Sequence, residues 1–209
     1  MRWYFWLILV LGGFIGFQII LRILAKMFAF PMPFEAAWIM DRKWRRVLLP
    51  PPKIVEQSGI KEKMQVLELG AGTGFFTVEA SKRLGEQGKL YCVDIQSEMI
   101  RKIEGKIKQY DLNNVETQIA NANSLPFPDD KFDVVFLVTV LGEIPDKSKA
   151  VKEIYRVLKP DGVLSITEFL PDPHYCFKRN VVNLCTGNGF RLINEYGTFF
   201  KYTVNFQKS

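Results

Sequence analysis

After Lys53 the sequence alternates short apolar runs with longer amphipathic stretches, and this alternation limits the possible folds more than any other feature. Runs typical of strands cover residues 65–69, 89–93, 115–119, 132–138 and 163–167. Helical patterns lie between them at residues 75–84, 97–110 and 147–158. Regular alternation of this kind indicates a parallel sheet with helices packed on its faces. We therefore predict an α/β domain over residues 53–209.

The last third of the chain departs from this alternation. A predicted helix at residues 175–186 stops at Asn188-Gly189, and two strand-like runs follow, RLINEY and FFKYTVNF. Only Gly197 and Thr198 separate the two runs. Because a two-residue connection can join only antiparallel strands, the sheet is predicted to end in an antiparallel hairpin.

The first predicted strand runs into a glycine-rich turn before a helix, in the segment VLELGAGTG at residues 66–74. We call residues 70–74 the glycine loop. Its glycines let the backbone turn tightly and approach a ligand, and the helix that follows offers free N–H groups. Asp94 ends the next strand, where a carboxylate can accept both hydroxyl hydrogens of a ribose. These features predict a site for an adenosine-containing cofactor.

Two residues distinguish between the possible adenosine cofactors. A dinucleotide motif G-x-G-x-x-G would require a third glycine at position 75, and this position holds Phe75. The carboxylate of Glu68, just before the glycines, would repel a pyrophosphate but attract the ammonium group of an amino acid. The pattern therefore favours S-adenosylmethionine over NAD.

Residues 53–208 resemble the class I S-adenosylmethionine-dependent methyltransferases, and in particular the ubiquinone/menaquinone-biosynthesis type of methyltransferase domain. VLELGAGTG resembles the first motif of that family, LPFPDDKFDVV its central motif and RVLKPDGVLSITE its strand-five motif. The resemblance implies a Rossmann-like fold, with a mostly parallel seven-stranded sheet that ends in an antiparallel hairpin. It also implies methyl transfer from S-adenosylmethionine.

The resemblance assigns the cofactor-binding roles residue by residue. Glu68 would place the amine of the cofactor, Asp94 would hold the ribose hydroxyls, and Ile95 would lie against the adenine. Asn121 stands where the family usually has Asp, and its amide oxygen can still accept a hydrogen bond from the adenine amine. Val138 would face the sulfonium. The other assigned positions line the methionine and ribose path or neighbour Asn121: Gly70, Ala71, Gly72, Gly74 and Ala122.

Two residues are candidates for a general base. Glu143 lies in VLGEI, where many relatives read V-L-H-H-L, and His174 is the one histidine of the chain and follows the fifth strand. A base is needed where the acceptor atom carries a proton. The alternatives stay open, since Glu143 could be a solvated loop charge and a single histidine is more often not catalytic.

No metal site is predicted. The three cysteines, Cys92, Cys176 and Cys185, form no C-x-x-C pair and are odd in number. This pattern is typical of a reducing compartment and argues against a disulfide framework, a zinc site or a three-thiolate arsenic methyltransferase.

The N-terminal segment is predicted to cross a membrane. Residues 3–21 are almost entirely apolar, and as a helix they would span roughly 28 Å. Basic residues after this stretch place the domain on the cytoplasmic side. Gly12 and Gly16 match a weak dimerisation pattern of small residues. A cleaved signal peptide and a buried core helix are the alternatives for residues 1–25.

Residues 26–52 are predicted to lie next to the membrane. Within them, residues 35–49 can form a helix whose apolar side is edged by Arg42, Arg45 and Arg46, which is typical of an interfacial helix on an anionic leaflet. The alternative is a short helix that caps the folded domain. Residues 50–52 are all proline and mark a break before the domain.

The sequence as a whole predicts a single-pass, membrane-anchored methyltransferase that acts on a small apolar, amphiphilic or lipid-like acceptor. Most of the net charge of +6 comes from residues 1–58, which hold eight basic and three acidic side chains, and this distribution argues against a nucleic-acid partner. A non-catalytic membrane protein that binds S-adenosylmethionine and an NAD-dependent oxidoreductase are the alternatives.

Overall fold

The computed structural model of the chain describes residues 2–27 and 43–208. Its strands are β1 (Gln65–Leu69), β2 (Lys89–Asp94), β3 (Val115–Ile119), β4 (Phe132–Val138), β5 (Leu158–Phe169), β6 (Phe190–Gly197) and β7 (Lys201–Lys208). Its helices are α1 (Arg2–Met27), α2 (Lys43–Leu48), α3 (Pro51–Gln57), α4 (Thr77–Leu84), α5 (Ser97–Tyr110), α6 (Lys147–Val157) and α7 (Lys178–Thr186). A short 3₁₀ turn, Leu141–Glu143, follows β4.

The strands form one seven-stranded sheet in the order β3-β2-β1-β4-β5-β7-β6. The first five strands pair in parallel, and β7 is antiparallel to both β5 and β6. This confirms the predicted Rossmann-like fold with a terminal antiparallel hairpin. From β1 the chain builds outward through β2 and β3, then returns to the other side of β1 at β4. Ligands of open α/β sheets bind in the crevice at such a reversal of strand order.

The sheet separates two apolar layers because successive side chains of a strand point to opposite faces. In β4, Val134 and Phe136 pack with buried residues of α3, α4 and α5. Val135 and Leu137 pack on the other face with buried residues of α6 and α7. β4 is therefore buried on both faces, which explains its continuous apolar sequence.

The connection of the hairpin begins one residue later than predicted and contains three residues instead of two. β6 continues through Gly197, and residues 198–200 form the turn, in which the Thr198 N–H donates to the Lys201 carbonyl at 2.7 Å. Phe199 and Phe200, predicted to begin the second strand, are exposed in this turn. Gly197 has a φ of +87°, and a Cβ at this position would collide with the Lys201 carbonyl oxygen. The left-handed conformation thus ends the strand pairing one residue after the predicted point.

The transmembrane helix predicted within residues 1–25 is not supported. A helix does form, but across the residues that the structure describes none is both long and apolar enough to cross a membrane. The Arg22 side chain of α1 instead contacts the folded domain, where it donates to the Leu170 carbonyl and lies 5.9 Å from the centre of the Tyr175 ring.

The segment before the domain packs against it. Residues 28–42, which include most of the predicted interfacial helix, lie outside the described residues. In α2, Arg45 is buried, Leu49 just beyond it is buried, and the Leu48 carbonyl accepts a hydrogen bond from Lys201 Nζ at 2.6 Å. Pro51 occupies the first turn of α3, where its missing N–H costs no helical hydrogen bond.

Two glycine substitutions should change stability in opposite directions. Gly197→Ala should lower the free energy of unfolding by about 1–3 kcal/mol, because alanine is strained at a positive φ and its Cβ meets the Lys201 carbonyl. Gly105→Ala should raise it by roughly 0.5–1 kcal/mol, because position 105 lies within α5 with open space around a Cβ. Urea unfolding curves measure both changes. Equal effects of the two substitutions would contradict this account of the hairpin.

Candidate active site

A cavity of about 440 Å³ opens at the carboxyl ends of the parallel strands. Its floor is the glycine loop at Gly70 and Gly72, and one end is formed by residues that follow β2 and β3. The other end is formed by residues that follow β4 and β5, and by Trp44 and Arg45 of α2. A volume of this size is in the range of small-molecule sites.

Backbone hydrogen bonds attach the glycine loop to the end of β2. The Gly70 and Ala71 N–H groups donate to the Val93 carbonyl at 2.9 and 3.0 Å, and the Gly72 N–H donates to Asp94 Oδ2 at 2.9 Å. Gly70 and Gly72 have φ values of +70° and +55°. A Cβ on Gly70 would lie 2.6 Å from the methyl carbons of Val140, so the loop can approach β4 only because this position has no side chain.

Asp94 lies at the cavity wall, as the ribose assignment requires. Its Oδ1 accepts from the Gln96 N–H at 3.0 Å while its Oδ2 accepts from Gly72. Burial raises the pKa of this carboxyl, and the backbone hydrogen bonds oppose the shift. Since a carboxylate offers about four acceptor positions, Asp94 can still accept hydrogen bonds from two ribose hydroxyls.

The residues assigned to the adenine lie on the same side of the cavity. Ile95 is 51% exposed although it is apolar, and Met99 lies close by in the wall, so a flat aromatic group would find apolar surface here. Asn121 Oδ1 accepts from the Asn123 N–H at 2.9 Å. This amide oxygen therefore shapes the loop after β3, and its second lone pair is the one that could reach an adenine amine. Ala122 and Val138 also line the cavity.

Glu68 lies behind the glycine loop rather than in the main cavity. It is 3% exposed, accepts from the Thr77 hydroxyl at 2.6 Å, and also contacts the thiol of Cys92. Burial raises the pKa of Glu68 to about 7. Together with Ala71 and Arg45 it borders a second, small void of about 10 Å³ next to Gly70.

Gly74 lies outside both cavities and faces α5. A Cβ at this position would lie 3.3 Å from Ile103 and from the Thr77 hydroxyl. The missing side chain lets the glycine loop pack closely against α5, and the assignment of Gly74 to the cofactor path stays a prediction.

Three carboxylates and a histidine meet at the far end of the cavity, and we call Glu143, Glu168, Asp172 and His174 the acid–histidine cluster. His174 Nδ1 lies 4.0 Å from Glu143 Oε1 and 3.8 Å from Asp172 Oδ1. Glu143 and Asp172 line the cavity, while His174 lies behind them. The Cys176 N–H donates to Glu168 Oε2 at 3.2 Å, whereas Glu168 Oε1 and His174 Nε2 are buried and have no hydrogen-bond partner within residues 2–27 and 43–208.

Burial controls the protonation of this cluster. It raises the pKa of Asp172 and holds the pKa of Glu168 well above its ordinary value. It lowers the pKa of His174, although the charge of Asp172 opposes that shift. Burial therefore favours the neutral forms of both groups, the uncharged imidazole of His174 and the protonated carboxyl of Glu168.

Gly142 explains the departure from the V-L-H-H-L pattern. A Cβ at position 142 would collide with the carbonyl oxygen of His174. The backbone of the loop after β5 therefore occupies the space that a side chain at position 142 would need. His174 lies where this loop meets the turn Leu141–Glu143, so a histidine is still present, but it is supplied by another element.

A family model described as a methyltransferase domain matches residues 60–199. The chain belongs to this methyltransferase family. It is 37% identical over 131 residues to a ubiquinone/menaquinone biosynthesis C-methyltransferase of Proteus mirabilis. These 131 aligned residues are 62% of this chain and 50% of that protein. The corresponding Escherichia coli protein is 38% identical over the same length. The methyltransferase thus spans about half the length of the curated relatives it matches.

Solved structures agree with this assignment. An S-adenosylmethionine-dependent methyltransferase from Aquifex aeolicus superposes with a TM-score of 0.79 at 28% identity, over 86% of this chain and 100% of the other. The [4+2]-cyclase SpnF shares the fold, with a TM-score of 0.70 at 15% identity over 80% of this chain and 83% of its own. The predicted enzyme class and cofactor, an S-adenosylmethionine-dependent methyltransferase, are confirmed. The roles of the individual residues stay predictions.

Sequence reasoning missed several residues of the site. The segment that holds Trp44 and Arg45 is predicted to be an interfacial helix or a helix that caps the domain, and no local signal shows that both residues line the cavity. Thr139 has a positive φ of +57° that no sequence pattern reveals. Glu168 and Asp172 did carry a signal, since Glu168 lies near the carboxyl end of β5 and Asp172 follows that strand.

Glu168→Gln should stabilise the methyltransferase at alkaline pH. The folded-state pKa of Glu168 is raised above the unfolded value of about 4.5, so its contribution to stability is complete at acidic pH and is lost as pH rises. The amide of the variant does not ionise, so the variant does not lose stability at this site as the pH rises. Its free energy of unfolding should exceed the wild-type value at pH 8 and approach that value near pH 4.5.

Glu153→Gln is the matched control with the opposite sign. The hydrogen bond from Arg156 lowers the pKa of Glu153, so this carboxylate stabilises the fold above its unfolded pKa. This variant should be less stable than wild type at pH 8. Denaturant unfolding at several pH values would reject the analysis of Glu168 if both variants lost stability at pH 8.

Proposed function

We propose that the protein transfers a methyl group from S-adenosylmethionine to a small apolar or amphiphilic acceptor, namely a hydroxylated aromatic ring with an apolar tail, and that the methyl group goes to a ring carbon. One observation supports this proposal most directly. The glycine loop and Asp94 at one end, and Glu143 and Asp172 at the other, line the same cavity. The names of the relatives, which are C-methyltransferases of quinone biosynthesis, support the acceptor class.

The walls of the cavity suit this reaction. S-adenosylmethionine supplies the methyl group as an electrophile when it is bound. Methyl transfer needs the acceptor atom about 3–3.5 Å from the methyl carbon and in line with the bond that breaks, and it benefits from a site of low polarity because charge disappears. Val138, Phe169 and Pro171 supply apolar surface between the glycine loop and the acid–histidine cluster. They exclude water and leave room for an apolar acceptor.

Glu143 is the proposed general base. A ring that gains a methyl group at carbon must lose a proton, and Glu143 is a carboxylate in the cavity wall on the acceptor side. His174 Nδ1 lies 4.0 Å away, and its lowered pKa keeps the imidazole neutral. In this proposal His174 orients Glu143 and does not itself contact the acceptor.

The first experiment incubates the purified full chain with methyl-labelled S-adenosylmethionine and a short-tailed naphthohydroquinone in mixed micelles. We expect label at a ring carbon of the product. Glu143→Gln should lower turnover by roughly 10²- to 10⁴-fold, the usual contribution of a general base, with little change in affinity for S-adenosylhomocysteine. Glu62→Gln, at an exposed site, is the matched control and should keep full turnover.

Two outcomes would contradict this proposal. If S-adenosylhomocysteine binds but no label reaches this acceptor or any component of a membrane extract, the protein is a non-catalytic binding protein. If label appears on oxygen only, the acceptor atom is wrong while the methyltransferase function stands.

We also propose that the protein works at the cytoplasmic side of a membrane, with α1 as the part that touches lipid. The support is that Trp3, Phe5 and Trp6, together with neighbouring aliphatic residues of α1, are exposed. The full chain should float with anionic lipid vesicles in a density gradient, and replacing these three residues with serine should reduce the floating fraction. Wild-type protein that stays at the bottom of the gradient would rule the proposal out.

A further inference from the structure

Aromatic side chains are exposed on the folded domain at the turn between β6 and β7. Phe199 is 58% exposed and Phe200 is 65% exposed, and their ring centres lie 6.1 Å apart. Phe177, just before α7, is also exposed, and its ring centre lies 6.1 Å from that of Phe199. Adjoining exposed apolar side chains of this size mark an interaction surface.

The fold itself holds these rings outward. The Tyr175 ring, which is buried, lies 5.6 Å from the ring of Phe177 and 6.0 Å from that of Phe199, and its hydroxyl donates to the Phe199 carbonyl at 2.6 Å. The Phe200 carbonyl accepts from the Leu170 N–H at 2.8 Å. The exposed rings are therefore tied to the loop after β5.

Helix α2 adds apolar side chains to the same surface. Trp44, Val47 and Leu48 are spaced i, i+3 and i+4, so they share one face of the helix, and all three are exposed. Leu49, just beyond the helix, is buried in the domain. Lys201 Nζ, at the start of β7, donates to the Leu48 carbonyl at 2.6 Å, which joins α2 to the hairpin. We call the exposed apolar side chains of the two elements the apolar rim: Trp44, Val47, Leu48, Phe177, Phe199 and Phe200.

The apolar rim lies beside the cavity. Trp44 belongs to the rim and also lines the cavity. Phe169 and Pro171 line the cavity on either side of Leu170, the residue that is hydrogen-bonded to Phe200. An apolar molecule that left the rim would therefore meet apolar cavity walls next.

Basic side chains accompany the apolar rim. Burial lowers the pKa of Lys201 and the charge of Lys53 lowers it further, so these two ammonium groups lie near each other. Lys178 and Arg179 directly follow Phe177 and are exposed, and Lys178 forms an ion pair with Glu195 at 2.5 Å. An anionic partner would relieve the repulsion between neighbouring lysines.

Helix α1 joins the domain at the same place. Its Arg22 side chain donates to the Leu170 carbonyl and lies 5.9 Å from the centre of the Tyr175 ring. The residue that receives Arg22 is thus the one that donates to Phe200, and the apolar rim continues the exposed apolar surface proposed for α1.

We propose that the apolar rim docks on the surface of an anionic membrane, with Phe199 and Phe200 among the lipid headgroups and acyl chains and the cavity beside them. Apolar side chains edged by lysine and arginine are the combination that binds such a surface. The inference rests on the proposed function in placing the protein at a membrane. It adds a second lipid contact, on the folded domain, that does not depend on α1.

The test measures partition of the full chain onto lipid vesicles by flotation, with phosphatidylcholine alone or mixed with phosphatidylglycerol. It uses wild type and an α1-serine variant, in which Trp3, Phe5 and Trp6 are serine. In both backgrounds, the double substitution Phe199→Ser and Phe200→Ser should lower the partition coefficient for anionic vesicles by about 10- to 100-fold, the range for exposing a buried aromatic side chain to water. The α1-serine variant should keep measurable binding.

A second pair of variants reports contact directly and keeps an aromatic ring at each position. In the α1-serine background, Phe200→Trp should add fluorescence that lipids brominated on the acyl chain quench. Tyr110→Trp, at the end of α5, should add fluorescence that these lipids do not quench, because β3, which contacts α5, lies at the opposite edge of the sheet from the hairpin.

Three controls separate the causes. Tyr110→Ser with Ile119→Ser also removes two exposed apolar side chains and should leave partition unchanged. Lys53→Gln should lower partition onto anionic vesicles about 5-fold and leave neutral vesicles unaffected, since a lysine near an anionic surface contributes about that factor. Unchanged affinity of the rim variants for S-adenosylhomocysteine reports that they are folded.

The remaining outcomes distinguish this inference from the proposed function. If the rim variants bind vesicles as their parents do and only the α1 substitutions weaken binding, the inference is wrong and the membrane proposal stands. If serine at positions 199 and 200 converts a dimer into a monomer in sedimentation without changing partition, the apolar rim joins two copies of the chain and the inference is wrong. Wild-type protein that binds no vesicle contradicts both membrane contacts, whereas methyl transfer in micelles still tests the enzymatic function by itself.

Discussion

The site depends on the hydrogen bonds that hold the glycine loop to the end of β2. Gly70 and Ala71 donate to the Val93 carbonyl, and Gly72 donates to Asp94, so the residue that would bind the ribose also fixes the loop beneath it. The absent side chain of Gly70 then lets β4 approach through Val140. Because these contacts converge where the strand order reverses, the cavity floor is fixed by the same backbone geometry that organises the sheet.

Around this floor, the protein keeps several carboxyl groups out of water. Burial raises the pKa of Glu68 and Asp94 near the loop and of Glu168 and Asp172 at the far end. Each such group lowers the free energy of unfolding at neutral pH, whereas burial of the apolar residues on both faces of β4 raises it. The buried carboxyl groups at the carboxyl ends of the strands therefore lower the stability of the fold, which is expected of a site that binds charged and polar ligands.

Most of the fold could be predicted because its signals are local. Continuous apolar runs identified β1 to β4 within one residue, and the spacing of RLINEY and FFKYTVNF required an antiparallel hairpin. The failures concern contacts between distant segments. Nothing near Arg45 indicates that it packs on Phe75, and the left-handed conformation of Thr139 depends on Thr167. The cofactor end of the site could thus be read from a motif, while the far end required tertiary structure.

The two ends of the cavity also differ in how general they are. The cofactor end follows a widespread motif, whereas the far end is particular to this chain. A glycine loop with a carboxylate after β2 holds an adenosine cofactor whatever the second substrate is, and the same fold in a [4+2]-cyclase shows that fold alone does not set the reaction. Here the far end of the cavity, the proposed acceptor end, is built where the turn Leu141–Glu143 meets the loop after β5, with the Gly142 backbone against the His174 carbonyl. Because the backbones of the two loops are packed directly against each other, they form one continuous wall of the cavity. In the proposed function this wall would contact the acceptor, and a change in either loop is expected to alter the position of Glu143 and the shape of the cavity together.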